Sequence, residues 1–336
     1  MNILLTSVGR RTYMIEYFKN ALKGDGFVLA SNNVLTYSLK KADEYVLTPD
    51  IYDESYIDFL LEYCKRKIVD VVISLFDIDL PVLSKNRKKF EENGVRLIVS
   101  SEQAIDICND KWKTYQFLCS IGLNQPLTYI SVENCEENLE SGTISFPLII
   151  KPRWGMGSIG IYIANTMEEL NVLYKKLHKE IFDTYLKFES SQNADSCILI
   201  QQKISGEEFG LDILNDLNSN YVTTVAKKKL AMRAGETDIA QIADNSIFLN
   251  ISKTISQSLK HIANLDVDCF VTENKQIYIL EMNCRFGGQY PFSHLSGVDF
   301  PAQIINWLND LPTNEKFLSS KENMIICKEQ SLHILQ

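Results

Sequence analysis

The stretch Ile277-Tyr278-Ile279-Leu280-Glu281-Met282-Asn283-Cys284-Arg285-Phe286-Gly287-Gly288 restricts this chain more than any other. Its first half is apolar and β-branched, the composition of a buried strand. A carboxylate interrupts it at Glu281, with an amide two residues on at Asn283. Side chains two apart on a strand share a face, so Glu281 and Asn283 project together and Arg285 continues that face. One carboxylate and one amide oxygen side by side suit a hard cation such as magnesium, which fills its remaining positions with water and phosphate oxygens. Gly287 and Gly288 let the backbone come close to a ligand. Upstream, residues 267–271 read as the partner strand of a hairpin with 272–275 as its turn, which brings Asp268 to the same site. Taken alone, such a hairpin is better read as an exposed glutamate and a loop arginine. The rest of the chain shifts that balance.

At 336 residues, two or three packed units are expected. A net charge of -9 argues against a nucleic-acid partner, which usually needs a basic surface. The eight cysteines are scattered with no C-x-x-C pair, the pattern of reduced thiols in a cytosolic protein. The N-terminus runs apolar before Gly9-Arg10-Arg11, the reverse of a secretory signal. No apolar run approaches a membrane span. A cytoplasmic protein without a membrane contact is the expectation.

Residues 2–8, 27–31, 69–75 and 95–100 are strand-like, and 12–23, 55–67 and 81–93 have helical spacing, the last with Pro81 near its start. Such alternation predicts a doubly wound α/β unit, whose ligands gather at the carboxyl ends of the strands. Those ends carry Arg10 and Arg11, Asn32, and Asp77 and Asp79. Arg10 beside a helix start suits an anion and equally suits plain solvation. No G-x-G-x-x-G follows the first strand.

Residues 109–120 open a second region with a helix in which Lys111 directly follows the cap. That is the wrong sign for the helix dipole and invites an anion. Residues 146–152 then place Lys151 at the end of a buried strand. Gly155, Gly157 and Gly160 formally meet the dinucleotide fingerprint, but 161–164 continue as a strand where the fingerprint must open a helix. Strand, glycine loop, strand is instead a flap that can lie over phosphates and donate backbone N–H groups. A P-loop is absent, as are the H-R-D and D-F-G signatures of protein kinases. A helix is expected over 166–179, a mobile polar loop over 187–195 and a strand over 197–202. Lys203 to Gly206 form a hinge before the strand that carries Glu207 and Glu208. The strand 221–226 leads into Lys227-Lys228-Lys229 and on to Arg233; such a run is usually a solvated face, and in an otherwise acidic protein it is also a candidate anion-binding wall. Residues 248–265 form an amphipathic helix ahead of the hairpin.

In this order, Lys111 on its helix, Lys151 under a glycine flap, the G-x-E hinge, the basic strand and the E-x-N with Asp268 upstream resemble the ATP-grasp superfamily. The likeness is greatest to its carbamoyl-phosphate-synthase-like, single-chain carboxylate–amine ligases and covers about residues 1–312. Each motif alone is weak; five in order are strong. The resemblance implies an α/β ATP-grasp fold. A Rossmann-like pre-ATP-grasp domain (1–105) would be followed by two α+β subdomains sandwiching ATP, a lid with the flap (106–197) and a large one with the catalytic site (198–312). The extension 313–336 shows only a terminal strand at 324–327.

The resemblance also implies roles. Lys111 and Lys151 would contact the nucleotide phosphates, with Trp154, Gly155, Met156, Gly157, Ser158 and Ile159 as the loop closing over them. The backbone of Gln201, Gln202, Lys203 and Ile204 would read adenine, and Glu208 would hold the ribose. Asp268, Glu281 and Asn283 would bind one or two magnesium ions, manganese being an alternative. Arg285, Lys229 and Arg233 would face the transferred phosphate and acyl group. Apart from the resemblance, the positions of Arg10, Asp77, Gly287, Gly288 and Gln289, with Arg11, Asp79 and Tyr290 nearby, make them candidates to line an acceptor pocket for a charged, polar small molecule such as an amino acid or a sugar acid. The expected reaction is attack of a small-molecule carboxylate on the γ-phosphorus of ATP, followed by displacement of phosphate from the acyl phosphate by an amine. The flap would exclude water from that intermediate. A small-molecule kinase and a regulatory module that has lost catalysis are the competing readings. A homodimer is common among relatives, although no interface is legible.

Overall fold

The computed structural model describes residues 1–335 except Met156 and Ser158. The N-terminal unit consists of β1 (Ile3–Thr6), α1 (Thr12–Leu22), β2 (Val28–Asn32), β3 (Glu44–Leu47), α2 (Tyr56–Lys67), β4 (Val71–Ser74), α3 (Asp79–Lys85), α4 (Arg87–Glu92) and β5 (Arg96–Ile98). Its strands are all parallel, in the order β3-β2-β1-β4-β5. β1 and β4 are buried throughout because helices cover both faces, which is why they read as unbroken apolar runs. α1 supplies one cover through Met14, Ile15, Phe18 and Leu22. Strand order reverses between β1 and β4, so their carboxyl ends open a crevice that holds Ser7 and Asp77.

Two details depart from expectation. β3 is an additional edge strand, invisible in the sequence because its side chains are largely exposed and show no core pattern. The helix expected over 81–93 is two helices that start at Asp79 and break at Asn86, whose side chain donates to Val82 O at 2.9 Å.

α5 (Glu102–Asn109) and α6 (Lys111–Ser120), capped by Ser101 and Asp110, link this unit to the lid. The lid comprises β6 (Thr128–Tyr129), α7 (Val132–Glu140), β7 (Leu148–Pro152), β8 (Tyr162–Ala164), α8 (Met167–Phe182), α9 (Lys187–Ser190) and β9 (Ile198–Gln202), with its sheet in the order β6-β9-β7-β8. Because β9 is an inner strand of that sheet, the lid sheet extends to Gln202, past the expected border at 197. The segment expected to be a loop over 187–195 is α9 followed by a 3₁₀ segment, Ser191–Ser196.

The large unit contains β10 (Glu207–Asn215), β11 (Tyr221–Arg233), β12 (Glu236–Ala243), α10 (Leu249–Leu259), β13 (Asn264–Val271), β14 (Ile277–Asn283), α11 (Tyr290–Leu295), α12 (Phe300–Leu308) and β15 (Ile325–Cys327). Its sheet has the order β14-β13-β10-β11-β12-β15, antiparallel throughout. α10 ends six residues before the expected 265, since Lys260 turns left-handed and β13 already begins at Asn264. The N-terminal unit and this sheet share a continuous core, with Leu4, Leu60 and Leu80 in one cluster with Leu211, Val267 and Met282. The lid has a separate core around Leu148, Leu170 and Ile198. Among the described residues, no helix is long and apolar enough to cross a membrane.

Candidate active site

β13 and β14 form the expected hairpin, with Asp268 opposite Glu281 and Asp266 opposite Asn283. The register shifts between Asp268 and Cys269, and the extra residue on β14 turns Leu280 as well as Glu281 toward a cleft beneath the glycine flap. Lys111, Lys151, Glu208, Lys229, Asp268 and Glu281 supply its charges. Its apolar walls include Ile159 and Ile161 from the lid side and Met232 from β11. These three side chains are 44–46% exposed, so apolar surface is left open inside the cleft. Apolar patches of this kind mark binding surfaces and suit a flat ring.

The lysines are held by the lid and by α6. Lys151 ends β7 buried, and its Nζ donates to Gln201 Oε1 at 2.8 Å while Gln201 Nε2 donates to Thr128 Oγ1 at 2.8 Å. Burial, then the neighbouring Lys111, lower its pKa to about 8 against the opposing effect of Glu281. Lys111 Nζ donates to Gly155 O at the base of the flap and lies 3.7 Å from Glu281 Oε2. Burial pushes the Glu281 carboxyl up, but Lys111 and Lys151 outweigh it and hold it below the usual range. α6 is fixed to the flap by Asp110, which caps it and takes two hydrogen bonds from Arg153, at 2.8 and 2.7 Å. Arg153 in turn lies over the Trp154 ring at 4.4 Å.

On the opposite wall, Lys229 lies between Asp268 Oδ1 at 2.7 Å and Glu208 Oε1 at 2.8 Å. Burial raises the Asp268 carboxyl to about 6, with Asp266 and Glu281 adding to the rise and Lys229 opposing it. Behind this wall Arg285 donates to Asp266 Oδ2 at 2.6 Å and to Asp77 Oδ2 at 3.1 and 2.9 Å. Burial would lower the guanidinium pKa, yet Asp77 and Asp266 raise it. These contacts leave further N–H donors of the fork uncommitted among the described residues.

Several expected residues lie elsewhere. Arg233 does not border the cleft: the register shift between Lys229 and Ala231 leaves Leu230 as an extra residue on β11 and turns Arg233 outward, where it pairs with Asp238 at 2.8 Å. Trp154 packs on the lid core. Gln202 lies within β9 and gives its N–H to Leu127 O at 2.8 Å, so that N–H is not free for a base, and Gln201 serves Lys151 through its side chain. Lys203 and Ile204 follow in the crossover to β10, and among the described residues neither borders the cleft. Asp77 is a partner of Arg285. Gln289 is buried against Asp266 and Asp268, and Gly287 faces the Asp266 carboxylate. Gly288 has open space beside it. Asp79 and Tyr290 are core residues: Asp79 accepts from Thr6, Ser7, Tyr56 and Ser74, and the Tyr290 hydroxyl accepts from Phe300 N. Arg10 is exposed and makes no ion pair among the described residues. Met156 and Ser158 fall outside the described residues.

Sequence reasoning missed Asp266. Its signal was present, because Asp266 and Asp268 are two apart on one strand and must share a face. Leu280 and Met232 were also missed, since only the bulges bring them to the cleft.

This architecture is the ATP-grasp fold. Residues 144–291 match the ATP-grasp domain family and residues 3–98 match the PylC-like N-terminal domain family. It is 25% identical over 284 residues to the carbamoyl phosphate synthase large chain of Campylobacter jejuni, a match covering 80% of this chain and 25% of that protein. The chain thus spans about a quarter of the length of this relative. Among solved structures, the biotin carboxylase domain of Hydrogenobacter thermophilus 2-oxoglutarate carboxylase, bound to MgADP, ADP and bicarbonate, superposes with a TM-score of 0.75. That match has 16% identity and covers 96% of this chain and 73% of the other. An L-amino acid ligase from Bacillus licheniformis gives a TM-score of 0.73 at 19% identity over 96% of this chain and 78% of its own.

Proposed function

We propose that this protein is an ATP-dependent ligase that joins a small-molecule carboxylate to an amine, releasing ADP and phosphate. One observation carries the reading. Two lid-side lysines and three carboxylates of the large sheet converge on one cleft, roofed by a glycine flap and walled by exposed apolar side chains. That arrangement suits a polyphosphate attached to a flat base, and a solved structure named as an L-amino acid ligase shares the fold.

Lys111 and Lys151 would take the phosphates, and Gly155 and Gly157 of the flap would cover them. Ile159, Ile161 and Met232 would enclose the base, with Glu208 at the ribose. The oxygen-only donors of Asp268, Glu281 and Asn283 suit magnesium by their chemistry. When bound, that ion would offset phosphate charge. Arg285, gripped by Asp77 and Asp266, would present its remaining donors to the substrate carboxylate and the transferring phosphoryl group. A carboxylate oxygen attacks the γ-phosphorus and ADP leaves. The amine nitrogen then attacks the acyl carbon, phosphate leaves and the nitrogen loses a proton.

The test is ADP release with magnesium and ATP across amino acids, sugar acids and bicarbonate, each with and without an amine. Turnover needing both acid and amine, and falling at least roughly a hundredfold in Glu281→Ala, is expected. Turnover by the acid alone, with a stable phosphorylated product, would instead establish a kinase.

A further inference from the structure

Gln289 stands just before α11, and its side-chain amide reaches back onto the face of β10 and β13. Nε2 donates to Asp266 Oδ1 at 2.8 Å and to Asp268 Oδ1 at 3.0 Å. An amide nitrogen has two hydrogens, and both go to carboxylates. The opposite amide orientation would point oxygen at two anionic groups, so the chemistry fixes which atom is nitrogen. Oε1 is left buried, without a partner among the described residues. An unpaired buried acceptor is costly, and here it accompanies the spending of both donors on the site.

The surrounding backbone makes room for this arrangement. Gly210 lies opposite Asp268 in the sheet, and a Cβ there would fall 1.7 Å from Gln289 Oε1. A Cβ on Gly287 would fall 2.3 Å from the Asp266 carboxylate. No positive φ demands glycine at either place, so space alone does. Gln289 is the middle link of an unbroken polar chain: Asp77, Arg285, Asp266, Gln289, Asp268, Lys229 and Glu208.

Resting on the ligase reading above, we propose that Gln289 is a positioning residue. It clamps Asp266 and Asp268 together, which sets Arg285, through Asp266, in register with the ion-facing carboxylate Asp268. Gly210 is the seat that makes the clamp possible. Without the amide the two carboxylates stand on one strand face with nothing between them, and Asp268 is free to settle against Lys229 alone.

The test titrates manganese into the full chain saturated with a non-hydrolysable ATP analogue, followed by electron paramagnetic resonance, beside thermal unfolding and analogue binding without metal. Gln289→Met keeps the size and removes the donors. It is expected to weaken manganese binding by roughly ten- to a hundredfold while leaving melting temperature and metal-free analogue binding unchanged. Gly210→Ala is expected to do the same by displacing the amide, yet to add nothing in a Gln289→Ala background, where the space is already vacant. Unchanged manganese binding in Gln289→Met would overturn the proposal. So would a Gly210→Ala effect of equal size in both backgrounds. Failure of wild type to bind the analogue at all would instead sink the ligase reading, and this inference with it.

Discussion

Lys151 shows how burial sets the chemistry of one residue. Its pKa of about 8 means that above this pH the free protein carries it neutral, whereas the triphosphate proposed to lie beside it would demand the ammonium. Nucleotide binding above pH 8 must therefore take up a proton, and affinity falls as pH rises, by up to about tenfold per unit. Below that range the lysine is already charged and affinity is flat. Calorimetric titration of an ATP analogue near pH 9, in two buffers of different protonation heat, should show close to one proton taken up by wild type and none by Lys151→Met. Uptake that persists in the variant would assign the effect to another group. The place of Lys151 near the end of a buried strand was legible in sequence because the residues before it form an apolar run. Arg233 was misread: strand spacing placed it beside Lys229, and only the extra residue Leu230 in β11 reverses that. Asp266 carries the same period-two signal as Glu281 and Asn283, but it lies one residue outside the strand expected over 267–271, which the structure begins at Asn264.

At the scale of elements, the helices with clear apolar spacing and the buried strands were legible, because burial imposes a period. The exposed edge strand β3 imposes none. Polar α9 was equally hidden, since its order comes partly from a contact made elsewhere: Phe188 stacks on Tyr52 of the N-terminal unit at 4.5 Å, and the Tyr52 hydroxyl donates to Glu189. The lid has its own core, so its seating on the rest of the molecule depends on contacts of this kind. An aromatic pair contributes about 0.5–1.5 kcal/mol beyond its area, enough to change an open–closed ratio by up to roughly tenfold. Phe188→Ala should therefore speed limited tryptic cleavage within 187–196 several-fold, with saturating nucleotide restoring most of the protection. Equal cleavage rates in wild type and variant would show that the stack does not hold the lid.

Across the whole molecule, stability depends on the core shared by the N-terminal unit and the large sheet, and His261 lies at its edge. The ring is fully buried and hydrogen-bonds Ile213 O through Nε2 at 3.2 Å. The next residue, Ile262, gives its N–H to Ser100 of the N-terminal unit. Burial lowers the His261 pKa to about 4, the Ile213 bond opposing only part of the shift. In the unfolded chain the same imidazole takes up its proton near pH 6.5. Its stabilising contribution is therefore complete above about pH 6.5 and is lost as pH falls toward 4, because the unfolded state binds the proton first. The loss is about 2 kcal/mol by pH 5 and about 3 kcal/mol by pH 4, a large share of the few to fifteen typical of a domain. Asp268 acts in the opposite direction, since its raised carboxyl favours the folded state as pH falls through about 6. The pH curve of wild type alone therefore cannot isolate the histidine. His261→Gln, which cannot titrate, is destabilised near pH 7 by loss of packing. Its deficit relative to wild type in urea unfolding should shrink by about 2 kcal/mol between pH 7 and pH 5. A deficit that stays constant across that range would mean that the imidazole enters the core already protonated, or that the loop opens before the shared core does.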